Sequence, residues 1–423
     1  MKSIAIIIFI LTYILLLVLP KFRAHVALIS ASIFIILGIL PLDKIFTTID
    51  WNVILMIAGT MGIVSLFIES KMPELLADLI LEKTPNVKWA IISLSLFAGL
   101  ISAFIDNVAT VLMVAPVALG IAKKLKISPV SSIIAIAVSS NLQGAATLVG
   151  DTTSILLGGY ADLSFLDFFF FKGRLGIFWV VQAGALASAL VLLYLFRKEK
   201  QAISTKERAI VTDYFPTYLL AGMIILLIMA SFIPNTPKTI NGIICIILFG
   251  VGIIRDILES KNLTQTFKYL KDIDHFTIIL LIGLFLVVGG ITEAGVIEDL
   301  SKLFVNLSND NIFIVYTLLV WASVLFSAFI DNIPYVATML PVVAGISSIL
   351  NIEPYILYFG LLTGATLGGN LTPIGASANI TALGILRKDG YEVKASEFMK
   401  IGVPFTLIAV TVGYIMIWVL WSH

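Results

Sequence analysis

The hexapeptide SAFIDN occurs twice in this 423-residue chain, at Ser102–Asn107 and at Ser327–Asn332, each time inside a long apolar stretch. Both copies belong to a longer internal repeat. Asp50 to Leu76 aligns with Asp274 to Leu300, pairing Gly59 with Gly283, Glu69 with Glu293 and Glu74 with Glu298. After one inserted residue, Asp106 pairs with Asp331, Asn107 with Asn332, Pro116 with Pro341, Thr147 with Thr372 and Gly150 with Gly375. A chain duplicated in this way is expected to fold as two related halves, here residues 1–196 and 215–423, joined by the polar linker 197–214.

Of the residues, 59% are hydrophobic and only 13% charged, against roughly 25% charged in soluble domains. The fold class expected is an all-α polytopic membrane protein. A span needs about 20 apolar residues, or about 17 at the short end. Candidates are 3–19, 25–41, 51–69, 129–149 and 173–196, then 215–233, 238–254, 276–293, 354–373 and 400–420. The first could pass for a signal peptide, but no small-residue cleavage site follows and a second span begins at once, so it reads as a retained helix. The near-zero net charge of +1 gives no case for a nucleic-acid partner. The single Cys245 rules out an intramolecular disulfide and reads as a small hydrophobe within a helix.

Between the third and fourth spans of each half lies an apolar segment, a polar Asp-Asn break and a second apolar segment. These units, at 89–122 and 311–349, read as re-entrant hairpins, because the tips 105–107 and 330–332 are too short and apolar for surface loops. Five crossings and one hairpin per half make the second half inverted relative to the first. With the linker inside, segments 20–24, 69–88, 121–128, 197–214, 255–275 and 387–400 carry 21 of the 27 Lys and Arg. That bias obeys the positive-inside rule and leaves both termini extracytoplasmic. Lys71–Lys83 is amphipathic and short, as an interfacial helix is, and has a duplicate at 295–307.

An acid within a membrane-embedded segment is a functional-site candidate by default, and inverted repeats with interrupted helices mark secondary transporters. Non-helical backbone at membrane depth is tolerated only where protein or a water-filled cavity satisfies it. Here it is expected at the two tips and at two Gly-, Thr- and amide-rich breaks, Asn141 to Asp151 and Thr366 to Ala376. Carbonyls, amide oxygens and carboxylates suit hard cations such as Na⁺. The expected cation-binding or proton-coupling residues are Asp106, Asn107, Gly150 and Asp151 in one half, and Asp331, Asn332, Gly375 and Ala376 in the other. Asn141, Thr147, Asn370, Thr372, Ser377 and Asn379 are the substrate-binding candidates. The tip acids also suit helix N-caps. Glu69 and Glu293 fall at helix ends, where a solvated or capping role fits better than ion coupling, and His25 and His275 read as interfacial. No cofactor is expected beyond Na⁺ as a coupling ion.

At FIDNVATVLMVAPV (104–117), FIDNIPYVATMLPV (329–342), ATLVGD (146–151) and GGNLTPIGASANI (368–380) the chain resembles the ion transporter superfamily. That group holds arsenite permeases, NhaD-type sodium/proton antiporters, citrate and divalent-anion symporters and the melanosomal P protein. The Asp-Asn tip looks most like the P-protein and NhaD-like branch. Divalent-anion symporters typically carry Ser-Asn-Thr there, whereas this chain has Asp106-Asn107-Val108 and Asp331-Asn332-Ile333. Relatives commonly show Gly-Asp-Pro-Pro-Asn after the first break; here it is Gly150 to Ser154 with Thr152 and Thr153 between. The resemblance implies a scaffold and a transport domain, elevator-like alternating access and, often, a homodimer; the location expected is the inner membrane.

The function expected is a secondary active transporter that couples Na⁺ or H⁺ to movement of a small anion, with Na⁺/H⁺ exchange lacking an anion as the alternative. A channel is a weaker reading. An enzyme is not expected: neither tip matches the Tyr-Asp and Gly-x-Gly-Asp motifs of aspartyl intramembrane proteases, and no P-loop supports an ATP-driven pump.

Overall fold

The structure is a computed structural model of the chain; it describes residues 1–203, 208–234, 236–260 and 269–422. Among them, nine main helices in the first half correspond one for one to nine in the second. The first set is α1 (Lys2–Val18), α2 (Arg23–Ile36), α3 (Trp51–Glu69), α4 (Met72–Leu81), α5 (Val87–Ser102), α6 (Asn107–Leu125), α7 (Val130–Gln143), α8 (Thr152–Tyr160) and α9 (Ile177–Leu195). The second is α10 (Phe215–Ser231), α11 (Ile240–Ser260), α12 (His275–Glu293), α13 (Val296–Ser308), α14 (Ile312–Ser327), α15 (Asn332–Leu350), α16 (Tyr355–Gly368), α17 (Ser377–Lys388) and α18 (Ala395–Trp421). The one sheet among the described residues is a hairpin of Phe170–Phe171 on Arg174–Leu175. The fold is all-α and polytopic. Among the described residues, seven helices are long and apolar enough to cross a membrane, and two bent pairs, α1 with α2 and α13 with α14, add to them.

The repeat reaches down to the caps. Asp50 accepts from the Val53 N–H at the start of α3 and Asp274 from the Thr277 N–H at the start of α12. Asn86 and Asn311 do the same for α5 and α14. Each of these side chains satisfies a helix N–H that has no partner within the helix.

The halves are interlocked. α3 packs on α11 and α12 packs on α2, so each half's third helix takes its main partner from the other half. Glycine permits the close approach: a Cβ on Gly59 would lie 2.5 Å from the Cys245 carbonyl carbon, and one on its equivalent Gly283 would lie 2.7 Å from the Ala27 Cβ. Cys245 is fully buried there. α9 and α18, equivalent to each other, pack together, while α5 with α7 and α14 with α16 form matching pairs around the hairpins.

The hairpin arms differ slightly from expectation. α5 ends at Ser102 and α6 begins at Asn107; α14 ends at Ser327 and α15 begins at Asn332. The tip aspartate is in each case the N-cap of the returning helix, which therefore starts one residue earlier than the apolar pattern suggests.

Candidate functional site

In both halves the break before the short helix (α8 or α17) is built to hold the hairpin tip. The Thr147 hydroxyl donates to the Ala103 carbonyl and the Thr372 hydroxyl to the Ala328 carbonyl. Gly150 and Gly375 then pass within a hydrogen's width of the tip backbone. A Cβ on Gly150 would sit 2.7 Å from the Gly144 oxygen and 2.9 Å from those of Ala103 and Ser102. On Gly375 it would sit 2.6 Å from the Gly369 oxygen and 2.8 Å from those of Ala328 and Ser327. Three carbonyl oxygens thus crowd each glycine and leave no room for a side chain.

The centre is a connected amide network. Asn107 donates to Asn141 Oδ1 at 2.9 Å, and Asn141 Nδ2 reaches the Thr366 carbonyl at 2.7 Å and Asn370 Oδ1 at 3.2 Å. Asn370 donates in turn to the Val138 carbonyl at 2.9 Å. Asn379 donates to the Gly369 and Thr372 carbonyls, while its Oδ1 is buried without a hydrogen-bond partner. Of the substrate candidates, Asn141, Thr147, Asn370, Thr372 and Asn379 are thus buried and engaged with protein, largely with backbone; only Ser377 borders open space.

Three acids meet around this core. Asp106 Oδ2 accepts the Val108 and Ala109 N–H groups at 3.0 and 3.2 Å. Asp151, 4% exposed, caps α8 through the Thr152 N–H and accepts the Thr153 hydroxyl at 2.9 Å. Asn332 also points at Asp151, 3.3 Å away, so the second tip contacts the first half's break. Asp331 accepts the Ile333 N–H at 3.1 Å and lies 3.4 Å from the Ser377 hydroxyl. Its other partner is Arg23, whose Nη1 is 2.9 Å away. The Ala376 side chain, at the position equivalent to Asp151, offers no cap and no ligand.

A cavity of about 430 Å³ opens onto Asp106, Asn107, Asp151, Asn332 and Ser377. Glu69, Asp272 and Asp274 also line it, and among its described lining residues there is no Lys, Arg or His. Its counterpart is a cavity of about 930 Å³ that includes Phe285, Val288, Thr292, Glu293 and Asp50. These are the repeat equivalents of Met61, Val64, Ile68, Glu69 and Asp274 in the first cavity. The two are therefore matching vestibules, but they end differently. The acidic one reaches the Asp106 tip, whereas the other stops at Ala337, Leu340 and Pro341, short of Asp331 on the same helix.

Arg23, Thr153, Thr366, Asp272 and Asp274 were not among the sequence candidates. Arg23 falls in the connecting segment 20–24 of the charge count, yet it is the first residue of α2 and largely buried. Glu69 is the last residue of α3, as expected, and it also lines the cavity wall. Among the described residues no group of three His, Cys, Asp or Glu is placed to hold a metal ion.

The citrate transporter family model matches residues 12–364. An uncharacterized transporter of Mycobacterium bovis is 32% identical over 99% of this chain and 98% of its own. The mouse P protein is 26% identical over 90% of this chain and 55% of its own. Among solved structures, the Alcanivorax borkumensis YdaH transporter superposes with a TM-score of 0.62 at 13% identity, covering 95% of this chain and 98% of that one. The family and the mycobacterial relative are transporters rather than enzymes, and this chain belongs to the citrate transporter family of multi-pass membrane transporters.

Proposed function

We propose that the chain is a secondary active transporter in which Na⁺ or H⁺ binds at the Asp106–Asp151 centre. The observation that carries this reading is the acidic vestibule ending on Asp106, Asp151 and Asn332. Both carboxylates face one cavity with no basic group among its described lining residues, so a cation or proton is the natural occupant. The family model supports a small carboxylate anion as co-substrate. Such an anion would enter a wall of carboxylates only together with cations or protons. The absence of any basic group among the described lining residues favours a second reading, cation exchange without an anion.

The unequal depth of the two matching vestibules supports alternating access. Glu69, Asp272 and Asp274 fall in segments that charge bias places inside, so this conformation is read as open to the cytoplasm. On this reading residues 1–196 and 215–423 are inverted repeats around the linker 197–214. The Asp106 and Asp331 units are re-entrant hairpins, and the hairpins with α8 and α17 form the part that moves, elevator-like, in an inner-membrane homodimer.

Flux into proteoliposomes tests the proposal, with citrate, Na⁺ and pH gradients imposed separately. Citrate uptake driven by a Na⁺ or proton gradient supports symport; Na⁺ movement driven by a pH gradient without citrate supports exchange. Flux indifferent to both gradients would sink the proposal.

A further inference from the structure

The two tips carry the same Asp-Asn pair but meet different surroundings. Asp106 faces the acidic vestibule and is held by two backbone N–H groups. Asp331 does not line that cavity; it is 5% exposed and paired with Arg23. Arg23 is itself set in place, its Nε donating to the Leu16 carbonyl at 3.1 Å. The corresponding connection in the second half offers Asp106 no such group, for its Lys238 pairs with Asp162 and both are well exposed. α1 touches the same hairpin again: Tyr13 donates to the Pro334 carbonyl at 2.7 Å and is hydrogen-bonded to Thr338.

We propose that Arg23 is a tethered cation that occupies the second half-site, so that in this conformation only the Asp106 half-site takes an exchangeable cation. The guanidinium stands where a mobile cation would otherwise neutralise Asp331. It is supplied by α2, whose main packing partner is α12, so movement of the hairpin against α2 must break the pair. A fixed charge thereby sets how many mobile ions the duplicated site carries. This inference rests on the cation-site reading above, but its test does not depend on flux.

The test is the melting temperature of the purified full chain in detergent, in NaCl against choline chloride at equal ionic strength. Ligand that binds only the folded state raises that temperature. Arg23→Gln frees Asp331 and is expected to gain a Na⁺-specific rise beyond the wild type's, about 2 °C or more. Asp106→Asn should lose the wild type's Na⁺ response, Arg23→Gln in that background should restore one, and a further Asp331→Asn should remove it. If Arg23→Gln does not fold, Arg23→Met is read in the same way, since it keeps an apolar stem to pack and removes the charge. A folded Arg23 variant with no added Na⁺ response, in either background, overturns the proposal. Failure of the transport reading would show separately, as gradient-independent flux by the wild type.

Discussion

Asn141 donates from Nδ2 to the Thr366 carbonyl at 2.7 Å, and the two residues hold the same position in the two halves. A contact between equivalent residues places this point near the axis that relates the repeats. Asn141 also receives Asn107 from the first tip, so one side chain ties a hairpin to the opposite half. Asn141→Ala leaves at least two buried groups without partners, each costing about 1–3 kcal/mol. A large drop in melting temperature and loss of gradient-driven flux are expected; a variant that melts like the wild type would contradict the assigned role.

The two tip aspartates are expected to respond differently to the same change. Asp106→Asn keeps a capping side chain and removes only the charge that faces the vestibule, so folding should survive while cation-driven flux falls at least tenfold. Asp331→Asn removes the charge opposite Arg23, a largely buried cation, so a loss of stability of about 1–3 kcal/mol is expected. Thermal melts paired with flux separate the two: a stable, inactive Asp106→Asn against a destabilised Asp331→Asn.

Gly150→Ala and Gly375→Ala should be equally damaging. Each adds a Cβ less than 3 Å from three carbonyl oxygens, so the break must draw away from the tip, at about 1–3 kcal/mol of strain. Thr147→Val and Thr372→Val test the same junction by removing the hydroxyl that latches it. Matching losses in melting temperature for each pair are expected if the two junctions are equivalent.

At the linker, Arg255 grips Asp213 through Nη1 at 2.6 Å and Nη2 at 3.3 Å. Partial burial pushes the Asp213 carboxyl up, but the Arg255 guanidinium and the Phe215 N–H outweigh it and hold it below the ordinary carboxylate range. A depressed folded-state pKa contributes stability that is present above the unfolded value and lost as pH falls through the folded one. Wild type should therefore melt slightly above Asp213→Asn at neutral pH, with the difference vanishing on acidification below about pH 4. The pair is partly exposed, so a small effect is expected.

Much of this fold was legible because the duplication prints itself at a fixed spacing. Asp106 with Asp331, Thr147 with Thr372 and Gly150 with Gly375 all take equivalent places in the structure. What the repeat could not reveal was the departure from it. Arg23 lies 308 residues from Asp331, and its short interhelix segment reads equally well as a membrane-flanking charge. Asp272 and Asp274 look like ordinary loop and cap residues until the packing of α12 brings them to the vestibule. Apolar patterning likewise cannot separate Asn141 and Asn370, spent on internal hydrogen bonds, from Ser377, which borders open space.

The crossing of α3 onto α11 and of α12 onto α2 has a consequence for biogenesis. When the first half leaves the ribosome, the face of α3 that bears Gly59 and Gly62 has no partner and must wait in lipid or on an insertase. Its seat, formed by Cys245 and Phe249, is made only after the linker and α10 have been threaded. Neither half is therefore a self-sufficient folding unit, and splitting the chain at the linker should yield protein only when both pieces are made in the same cell.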